Sequence, residues 1–260
     1  MQATGVTRPE ADREEGMGGL AKGLAIAECF GPERSRLTIT EAATLTGQTP
    51  AAARRCMRTL ESLGYLTYDG KFFRPTPRFV RLATAYTEAD PLPRLAAPIL
   101  AELRDRLDES ASLAVLDEDD ALFIARAEAD HLVSTGLRVG GRLPAPLSAA
   151  GRVLLGALDA RAVREAVERG LRGRMTSKAL ATPARVASEI RAAAERGYAL
   201  TDEEVEIGLR AVAVPVADAS GRIVAAMSVS ALSARASVDR MSAEFVPELR
   251  ERAARLGRML

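Results

Sequence analysis

The sequence predicts an α+β protein in two parts, an amino-terminal winged helix-turn-helix and a larger unit built on a largely antiparallel sheet. Two short helical patterns joined by a glycine turn are followed at once by a β-hairpin pattern. Residues 92–260 alternate β-prone runs with helical ones, as α+β domains do. The chain of 260 residues is also long enough for two domains.

The amino-terminal domain is assigned to residues 20–77, after a leader that we expect to be disordered. Residues 1–19 carry many charged side chains and few apolar ones, which is too polar a composition to form a core. Leu20, Leu24 and Ala27 recur at helical spacing. The first helix is therefore expected to begin at Leu20.

End signals mark the two helices of the predicted helix-turn-helix. Thr38 and Glu41 have the spacing of a capping box, in which the two side chains satisfy amide groups at a helix start. Gly47 supplies the left-handed residue that ends this helix, and Thr49 followed by Pro50 starts the next one. Two helices joined by so short a turn form a helix-turn-helix.

The second of these helices, over residues 50–63, is interpreted as a DNA recognition helix. At about 100° per residue, its arginines share one face and its apolar side chains lie opposite. An ordinary solvated face is the alternative, but such faces mix charges, and here only Glu61 lies at the edge. A small residue near the start also lets the helix approach base edges. This face consists of Ala51, Arg54, Arg55 and Arg58.

A wing is predicted directly after the recognition helix. Residues 65–68 and 71–74 are β-prone runs on either side of Asp69 and Gly70, a pair typical of hairpin turns. Lys71 and Arg74 are expected to contact phosphates. Between residues 49 and 81 there are seven basic and two acidic side chains, so a local charge of +5 is hidden in the net charge of +1. The predicted partner is double-stranded operator DNA, bound through Thr38, Thr49, Ala51, Arg54, Arg55, Arg58, Lys71 and Arg74.

A linker helix over residues 78–91 and a second domain over residues 92–260 complete the predicted organisation. Prolines at positions 91 and 93 mark the boundary between them. In the second domain, strands are expected at residues 112–117, 122–126, 132–139, 209–217 and 222–231. Helices are expected at residues 149–158, 161–169, 183–196 and from 238 toward 260.

Scarce residues exclude several classes of function. His131, Cys29 and Cys56 are the only histidine and cysteines, and they lack the close spacing of a zinc site. A hydrolase would have to use His131 as its base, and no G-x-S-x-G motif is present. We therefore expect no catalytic residue, no metal and no cofactor. No apolar run reaches the ~20 residues that span a bilayer, so a cytoplasmic protein without a membrane partner is predicted.

Ser228 and Ser230 are the polar residues of the last predicted strand. Being two positions apart, they point to the same side of the sheet, while Met227 and Val229 point to the other. This pattern fits either a polar spot that binds a ligand or a solvent-facing strand surface. The residues by themselves leave both interpretations open.

Several long phrases, in order along the chain, resemble the IclR family of transcriptional regulators. One of them is the wing phrase that runs from Asp69 through Arg74 to Arg78. The resemblance covers almost everything from Leu20 onward and is greatest to the branch that controls protocatechuate and 4-hydroxybenzoate catabolism. The phrases span residues 20–25, 60–66, 69–78, 109–117, 151–155, 197–200 and 208–216.

The resemblance implies a transcriptional regulator, not an enzyme, with a connecting helix and a GAF-like effector-binding domain. It also implies a small organic acid as effector, such as protocatechuate or 4-hydroxybenzoate, and a homodimer or a dimer of dimers. Departures from the branch at residues 144–150 leave the effector unnamed. The implied pocket comprises Ala150, Gly151, Thr201, Leu209, Ala211, Ser228 and Ser230, with Asp202 and Glu204 as nearby polar candidates. On charge grounds, Arg138 or Arg152 is expected to pair with a ligand carboxylate, and a surface salt bridge explains either arginine equally well.

Two other functions remain open at this stage. The protein could be an architectural DNA-binding protein whose second domain only oligomerises, in which case the sheet face would be filled. It could also be an enzyme with a winged-helix appendage, but the sequence offers no base with a partner and no cofactor loop. A symmetric dimer would read a palindromic operator with half-sites ~34 Å apart or a multiple of that distance.

Overall fold

The computed structural model describes residues 17–31, 34–131, 136–171, 173 and 175–260. The chain divides into two compact units at the junction between Ala89 and Asp90. Most of the expected disordered leader, residues 1–16, lies outside the described residues. The structure corrects the predicted end of this leader at residue 19, because the first helix already begins at Gly18.

The first unit is a three-helix core with a two-stranded wing and a trailing helix. The capping box and the left-handed Gly47 set the second helix, and the Thr49–Pro50 pair starts the third. The elements are α1 (Gly18–Ala27), α2 (Ile39–Thr46), α3 (Pro50–Ser62), β1 (Leu66–Tyr68), β2 (Phe73–Pro75) and α4 (Arg78–Ala89).

An apolar core holds α1, α2, α3 and the wing together. Ile26, Ala53, Met57 and Phe73 are fully buried at its centre. The backbone of Leu37, just before α2, forms a two-way hydrogen-bonded bridge with Phe73 on β2, with N–O distances of 3.0 and 2.8 Å. The wing is therefore fixed to the helix-turn-helix by backbone bonds as well as by packing.

The second unit has one six-stranded sheet whose neighbouring strands are all antiparallel, in the order β5-β4-β3-β8-β7-β6. Its strands are β3 (Ser110–Asp117), β4 (Asp120–Ala127), β5 (Arg142–Pro144), β6 (Ala199–Asp202), β7 (Leu209–Ala217) and β8 (Ile223–Leu232). Its helices are α5 (Pro91–Leu107), α6 (Ala149–Leu155), α7 (Ala160–Gly170), α8 (Pro183–Arg196), α9 (Val238–Arg240) and α10 (Val246–Gly257), with Met241–Phe245 π-helical between the last two.

Helices cover both faces of this sheet. On one face α5 and α10 pack over side chains such as Leu113, Val212, Met227 and Val229, which are completely buried. On the other face α6 packs over small side chains, including Ala114, Ala213 and Ala226. α7 and α8 pack outside α6. The helix α6 covers only part of its face, and this leaves space beside it.

Several predicted elements need correction. The strand expected at residues 132–139 lies outside the described residues for positions 132–135, and residues 136–139 contain no strand. The strand that pairs with β4 comes later, at Arg142–Pro144. The predicted linker helix ends at Ala89 instead of residue 91, because Asp90 caps the start of α5. α5, β5 and β6 were not predicted at all.

Candidate functional sites

The recognition-helix candidate α3 begins on a well-formed cap. The Thr49 hydroxyl accepts a hydrogen bond from the Ala52 amide at 3.3 Å. In front of α2, the Thr38 hydroxyl accepts from the Glu41 amide at 3.2 Å, while the Thr38 amide donates to the Glu41 carboxylate at 2.7 Å. The Thr38 amide bond, together with a hydrogen bond that the Thr38 hydroxyl donates to the same carboxylate at 2.8 Å, holds the pKa of Glu41 below its usual range. Both threonines therefore serve the helix starts through their side chains.

The two faces of α3 differ as the sequence predicts. Ala53 and Met57 are fully buried, whereas Ala51, Arg54 and Arg55 are exposed. Neither Arg54 nor Arg55 forms an ion pair with a carboxylate in the part of the chain that the structure describes. Their guanidinium groups present uncompensated positive charge at the start of the helix. Such a surface suits contact with a polyanion.

Arg58 has a different environment from the other two arginines. Its Nη1 lies 2.8 Å from the Glu61 carboxylate, and this hydrogen bond raises the arginine pKa. Its guanidinium also lies 4.2 Å from the centre of the Tyr68 ring on the wing. Arg58 thus connects α3 to the wing, and its charge is partly balanced.

The tip of the wing is organised by Asp69. Its carboxylate accepts hydrogen bonds from the amides of Lys71 at 3.0 Å and Phe72 at 2.7 Å, and these bonds lower its pKa. Arg74 lies 3.5 Å from the same carboxylate, and the Lys71 ammonium lies 5.1 Å from the centre of the Phe72 ring. The strand pair closes between Tyr68 and Phe73, so the loop has four residues. The turn therefore contains two residues more than the Asp69–Gly70 pair from which it was predicted.

A cavity of about 450 Å³ lies beside α6 on the sheet face that α6 only partly covers. Directly beneath α6 this face of the sheet carries alanines. Next to α6, where the cavity lies, it carries side chains with hydroxyl groups. The cavity is lined by Ser112, Phe123, Gly136, Leu137, Leu143, Ser148, Ala149, Ala150, Met175, Thr201, Val205, Glu206, Leu209, Ala211, Ser228 and Ser230.

Strand register brings the cavity hydroxyls together. Ser228 on β8 pairs with Ser112 on β3, while Ser230 pairs with Ala211, which in turn pairs with Thr201 on β6. Ser228 is only 7% exposed and Thr201 only 2% exposed. The two serines of β8 therefore face the cavity, and the solvent-facing alternative does not describe Ser228.

Six of the ten predicted effector-binding residues lie on the cavity wall, and the other four do not. Gly151 faces Ala145 instead, and a Cβ at this position would come within 2.2 Å of the Ala145 Cα. Arg138 is exposed. Asp202 forms an ion pair with Arg210 at 2.6 Å. The six wall residues are Ala150, Thr201, Leu209, Ala211, Ser228 and Ser230.

Glu204, the last of the four, forms a buried ion pair with Arg152. The Arg152 side chain is completely buried, and its two Nη atoms donate to the two Glu204 carboxylate oxygens at 2.9 and 2.7 Å. Arg152 Nε donates to the carbonyl of Pro146 at 2.9 Å. The guanidinium is thus engaged within the fold, and it joins α6 to the segment after β6.

That segment forms one side of the cavity entrance. Glu203 has a positive φ of 59°, and its carboxylate pairs with Lys178 and accepts from the Gly208 amide at 2.9 Å. The Lys178 hydrogen bond and then the Gly208 one lower the pKa of Glu203. The Thr176 hydroxyl donates to the Glu203 carbonyl at 2.7 Å. These bonds hold Val205 and its neighbours against the cavity.

Sequence reasoning missed Ser112 and a buried cation behind it, Arg126 on β4. Arg126 Nη1 donates to the Ser112 hydroxyl at 2.8 Å, and the arginine side chain is 4% exposed. Burial lowers the pKa of Arg126, and the nearby Glu128 partly offsets this effect. The only signal in the sequence was an arginine inside a β-prone run. Its position behind the cavity depends on the pairing of β3 with β4.

The described residues offer few other chemical groups. His131 Nε2 lies 2.8 Å from the carbonyl oxygen of Asp108, so the ring has a structural partner. Within the described ranges, histidine, cysteine and acidic side chains form no cluster that could hold a metal ion. No helix among those residues combines the length and the hydropathy that a bilayer crossing requires.

Comparison with protein families gives two matches that together span most of the chain. Residues 19–70 match the IclR helix-turn-helix domain. Residues 84–258 match the carboxy-terminal domain of the bacterial transcriptional regulator IclR. The matches agree with the predicted α+β fold of a winged helix-turn-helix followed by a ligand-binding domain.

Individual relatives extend over nearly the whole chain. The Pca regulon regulatory protein of Pseudomonas putida is 39% identical over 90% of this chain and 80% of its own length. The p-hydroxybenzoate hydroxylase transcriptional activator of Acinetobacter baylyi is 36% identical over 95% of this chain and 93% of its own. Among solved structures, an IclR homologue from Microbacterium hydrocarbonoxydans in complex with 4-hydroxybenzoate has a TM-score of 0.76 at 25% identity, covering 92% of this chain and 97% of that one.

Proposed function

This chain belongs to the IclR family of bacterial transcriptional regulators, and on that premise we propose that an aromatic carboxylic acid in the sheet cavity controls its action on transcription. The observation that carries the proposal is the cavity of about 450 Å³ with its buried hydroxyl groups. Its volume is within the range of small-molecule sites. Members of this family regulate transcription, so an enzymatic role is not proposed.

The lining of the cavity supports an aromatic acid in particular. Phe123, Leu137, Leu143 and Leu209 supply apolar surface for a ring. The hydroxyl groups of the sheet supply hydrogen bonds for polar substituents. One relative is named for p-hydroxybenzoate hydroxylase, and one solved homologue was crystallised with 4-hydroxybenzoate. We therefore infer 4-hydroxybenzoate, protocatechuate or a close analogue as the effector.

We infer that the first unit binds operator DNA through α3 and the wing. Arg54 and Arg55 are exposed at the start of α3, and Ala51 leaves room for a close approach to base edges. Lys71 and Arg74 at the wing and Thr38 and Thr49 at the helix starts are assigned to the phosphate backbone. For Arg58 we propose a positioning contribution, because it is already paired with Glu61.

Self-association is the second part of the proposal. Apolar side chains are exposed at Met17 just before α1, on α1 at Leu20 and Leu24, and on α4 at Val80 and Leu82. All of these residues belong to the first unit. Exposed apolar groups of this kind are typical of interaction surfaces. We propose that these helices pair with a second copy of the chain, giving a dimer or a dimer of dimers.

A location in the cytoplasm, where operator DNA is found, is part of the same proposal.

Control by an effector requires the ligand to bind one state of the regulator more tightly than another. The coupling is reciprocal, so DNA that favours one state would also change ligand affinity. The architectural alternative, a second domain that only oligomerises, has less support because the sheet face holds a cavity and is not filled. The cavity thus supports control by an effector over a purely architectural role.

Calorimetric titration of 4-hydroxybenzoate and protocatechuate into the full chain tests the effector proposal. We expect saturable binding, and we expect the Ser228→Ala, Ser230→Ala double variant to weaken it, because two hydrogen-bonding groups are lost. Ser233→Ala serves as a control, since Ser233 follows the end of β8 and does not line the cavity. If no aromatic acid binds the unaltered protein, the effector class is wrong.

A further inference from the structure

We propose that Ser112, with the Arg126 guanidinium hydrogen-bonded behind it, forms the part of the cavity wall that recognises the carboxylate of an anionic ligand. The inference depends on the proposed effector function and identifies which residues select an acid over a neutral analogue. Arg138 and Arg152 are less suitable for recognising a carboxylate in the cavity. Arg138 is exposed, and both Nη atoms of Arg152 are hydrogen-bonded to Glu204.

The hydrogen bond between the two residues prepares Ser112 to donate into the cavity. Arg126 pairs with Ser112 across β4 and β3, and its Nη1 donates to the serine oxygen at 2.8 Å. Since the oxygen accepts from the arginine, the serine hydrogen is available to another acceptor. Ser112 lies on the cavity wall, so that acceptor would be a ligand. A positive donor behind the hydroxyl also strengthens the bond it makes.

The Arg126 charge lies directly behind Ser112, so an anion bound to this serine would be close to it. The side chain is 4% exposed, and its desolvation disfavours the charged form. Glu128 lies 3.9 Å away but is half exposed, so solvent screens its attraction. A carboxylate hydrogen-bonded to Ser112 would lie near the same cation, among buried side chains where electrostatic attraction is stronger than in water.

A second hydroxyl completes the proposed carboxylate site. Ser228 is directly opposite Ser112 in the pairing of β8 with β3, and it also lines the cavity. Directly opposed residues of antiparallel strands have Cβ atoms about 5 Å apart. A carboxylate can therefore accept one hydrogen bond on each oxygen from the two serines. The aromatic ring would then extend toward Phe123 and Leu143.

The test compares 4-hydroxybenzoate with its neutral analogue 4-hydroxybenzamide by calorimetry, using the full-length protein. The variants are Arg126→Gln, which removes the charge, Arg126→Lys, which keeps it, and Ser112→Ala, which removes the proposed donor. Arg138→Gln is the matched control, because it removes an exposed arginine from the segment that contributes Leu137 to the wall. Thermal unfolding and DNA binding of each variant establish that it is folded.

We expect the unaltered protein to prefer the acid. Arg126→Gln should weaken acid binding on the order of 10- to 100-fold with little effect on the amide, since charged hydrogen bonds are stronger than neutral ones. Ser112→Ala should reduce the same preference, Arg126→Lys should keep part of it, and Arg138→Gln should leave it unchanged. If Arg126→Gln does not fold, the ratio of acid affinity to amide affinity in Ser112→Ala decides whether the inference stands.

Two outcomes count against the inference in different ways. An unchanged acid-to-amide ratio in Arg126→Gln and Ser112→Ala, with the acid still bound, overturns the carboxylate site while the effector proposal stands. Absence of binding of both probes to the unaltered protein contradicts the proposed effector class, and the carboxylate site is lost with it.

Discussion

The surroundings of each arginine determine what it can bind in this protein. Arg54 and Arg152 have the same guanidinium group, yet Arg54 is exposed on α3 and Arg152 is fully enclosed with Glu204. Arg126 is also buried, but its contact with Ser112 connects it to a cavity. The spacing of residues along the sequence is enough to predict that Arg54 is exposed on α3. The roles of the buried ones depend on contacts that only the folded chain creates.

Replacing Arg54 with alanine tests the recognition helix. Operator affinity should fall by about 1–3 kcal/mol if Arg54 reads a guanine, and discrimination at that base should relax. Fluorescence anisotropy with a DNA fragment selected from genomic DNA provides the measurement. Arg164→Ala is the control, because it removes an exposed arginine from α7 in the other unit. Equal affinity of Arg54→Ala and the unaltered protein would contradict this assignment of α3.

Breaking the buried ion pair should reduce stability much more than breaking a surface pair. Glu204→Ala leaves the Arg152 guanidinium buried without its carboxylate, at an expected cost of about 3–5 kcal/mol. The double variant Arg152→Met, Glu204→Leu should recover much of that loss. Urea unfolding measures both, and Glu165→Ala, which breaks the exposed pair with Arg161, should change stability little. A small effect of Glu204→Ala would show that the pair is not tightly held.

At the level of elements, α6 connects core packing to the cavity. The helix is capped by Ser148, whose hydroxyl accepts from the Gly151 amide at 3.1 Å, and both Ala149 and Ala150 lie on the cavity wall. It packs so closely that Gly151 has no room for a side chain. Any shift of α6 would therefore move one wall of the cavity.

Gly151→Ala tests this close packing. The new Cβ would approach the Ala145 backbone at 2.2–2.6 Å, so α6 must shift, at a cost of about 1–3 kcal/mol. Effector affinity should fall together with the unfolding temperature. Gly23→Ala in α1 meets nothing within 4 Å and should not lower stability. If Gly151→Ala matches the unaltered protein in both measurements, the packing argument is wrong.

Local signals predicted the elements that have clear ends. The caps at Thr38 and Thr49 placed α2 and α3, and α8 and β7 match their expected ranges. α5 was missed because prolines at its start and at Pro98 disguise a helix that tertiary packing stabilises. β5 and β6 have only three and four residues, which is too short for a periodic signal.

Only the part of the candidate effector site that lies on a single strand, β8, could be predicted from the alternation of polar and apolar residues. Alternation alone put Ser228 and Ser230 on the same side of β8. Ser112 and Arg126 join them because β3 pairs with β8 on one side and with β4 on the other, which is long-range information. The same reason explains why Glu204, two residues after β6, is directed to Arg152 and not to the cavity.

At the scale of the whole molecule, one chain combines a helix-turn-helix unit that has a basic surface with a second unit that contains a cavity. The net charge of +1 reflects neither part, because the basic surface of α3 and the wing is balanced by acidic residues elsewhere. A palindromic operator would require two such chains. The apolar surfaces on α1 and α4 therefore matter as much to the proposed function as the arginines.

Introducing charge on these helices tests self-association. Leu20→Glu combined with Val80→Glu should shift the protein toward monomer in sedimentation velocity experiments, because both side chains are exposed apolar groups on the proposed interface. Leu158→Glu is the control, since Leu158 is an exposed apolar residue in the other unit. Operator affinity should fall with the loss of the dimer. An unchanged sedimentation coefficient would mean that other surfaces form the assembly.

Transcription in vitro from the selected operator, with and without saturating 4-hydroxybenzoate or protocatechuate, tests the central claim most directly. The account predicts that an effector changes the transcript yield of the unaltered protein. It also predicts that the Ser228→Ala, Ser230→Ala variant still binds the operator but responds only at higher effector concentration. Equal transcript yield with and without each acid, in the presence of bound regulator, would contradict control through the cavity.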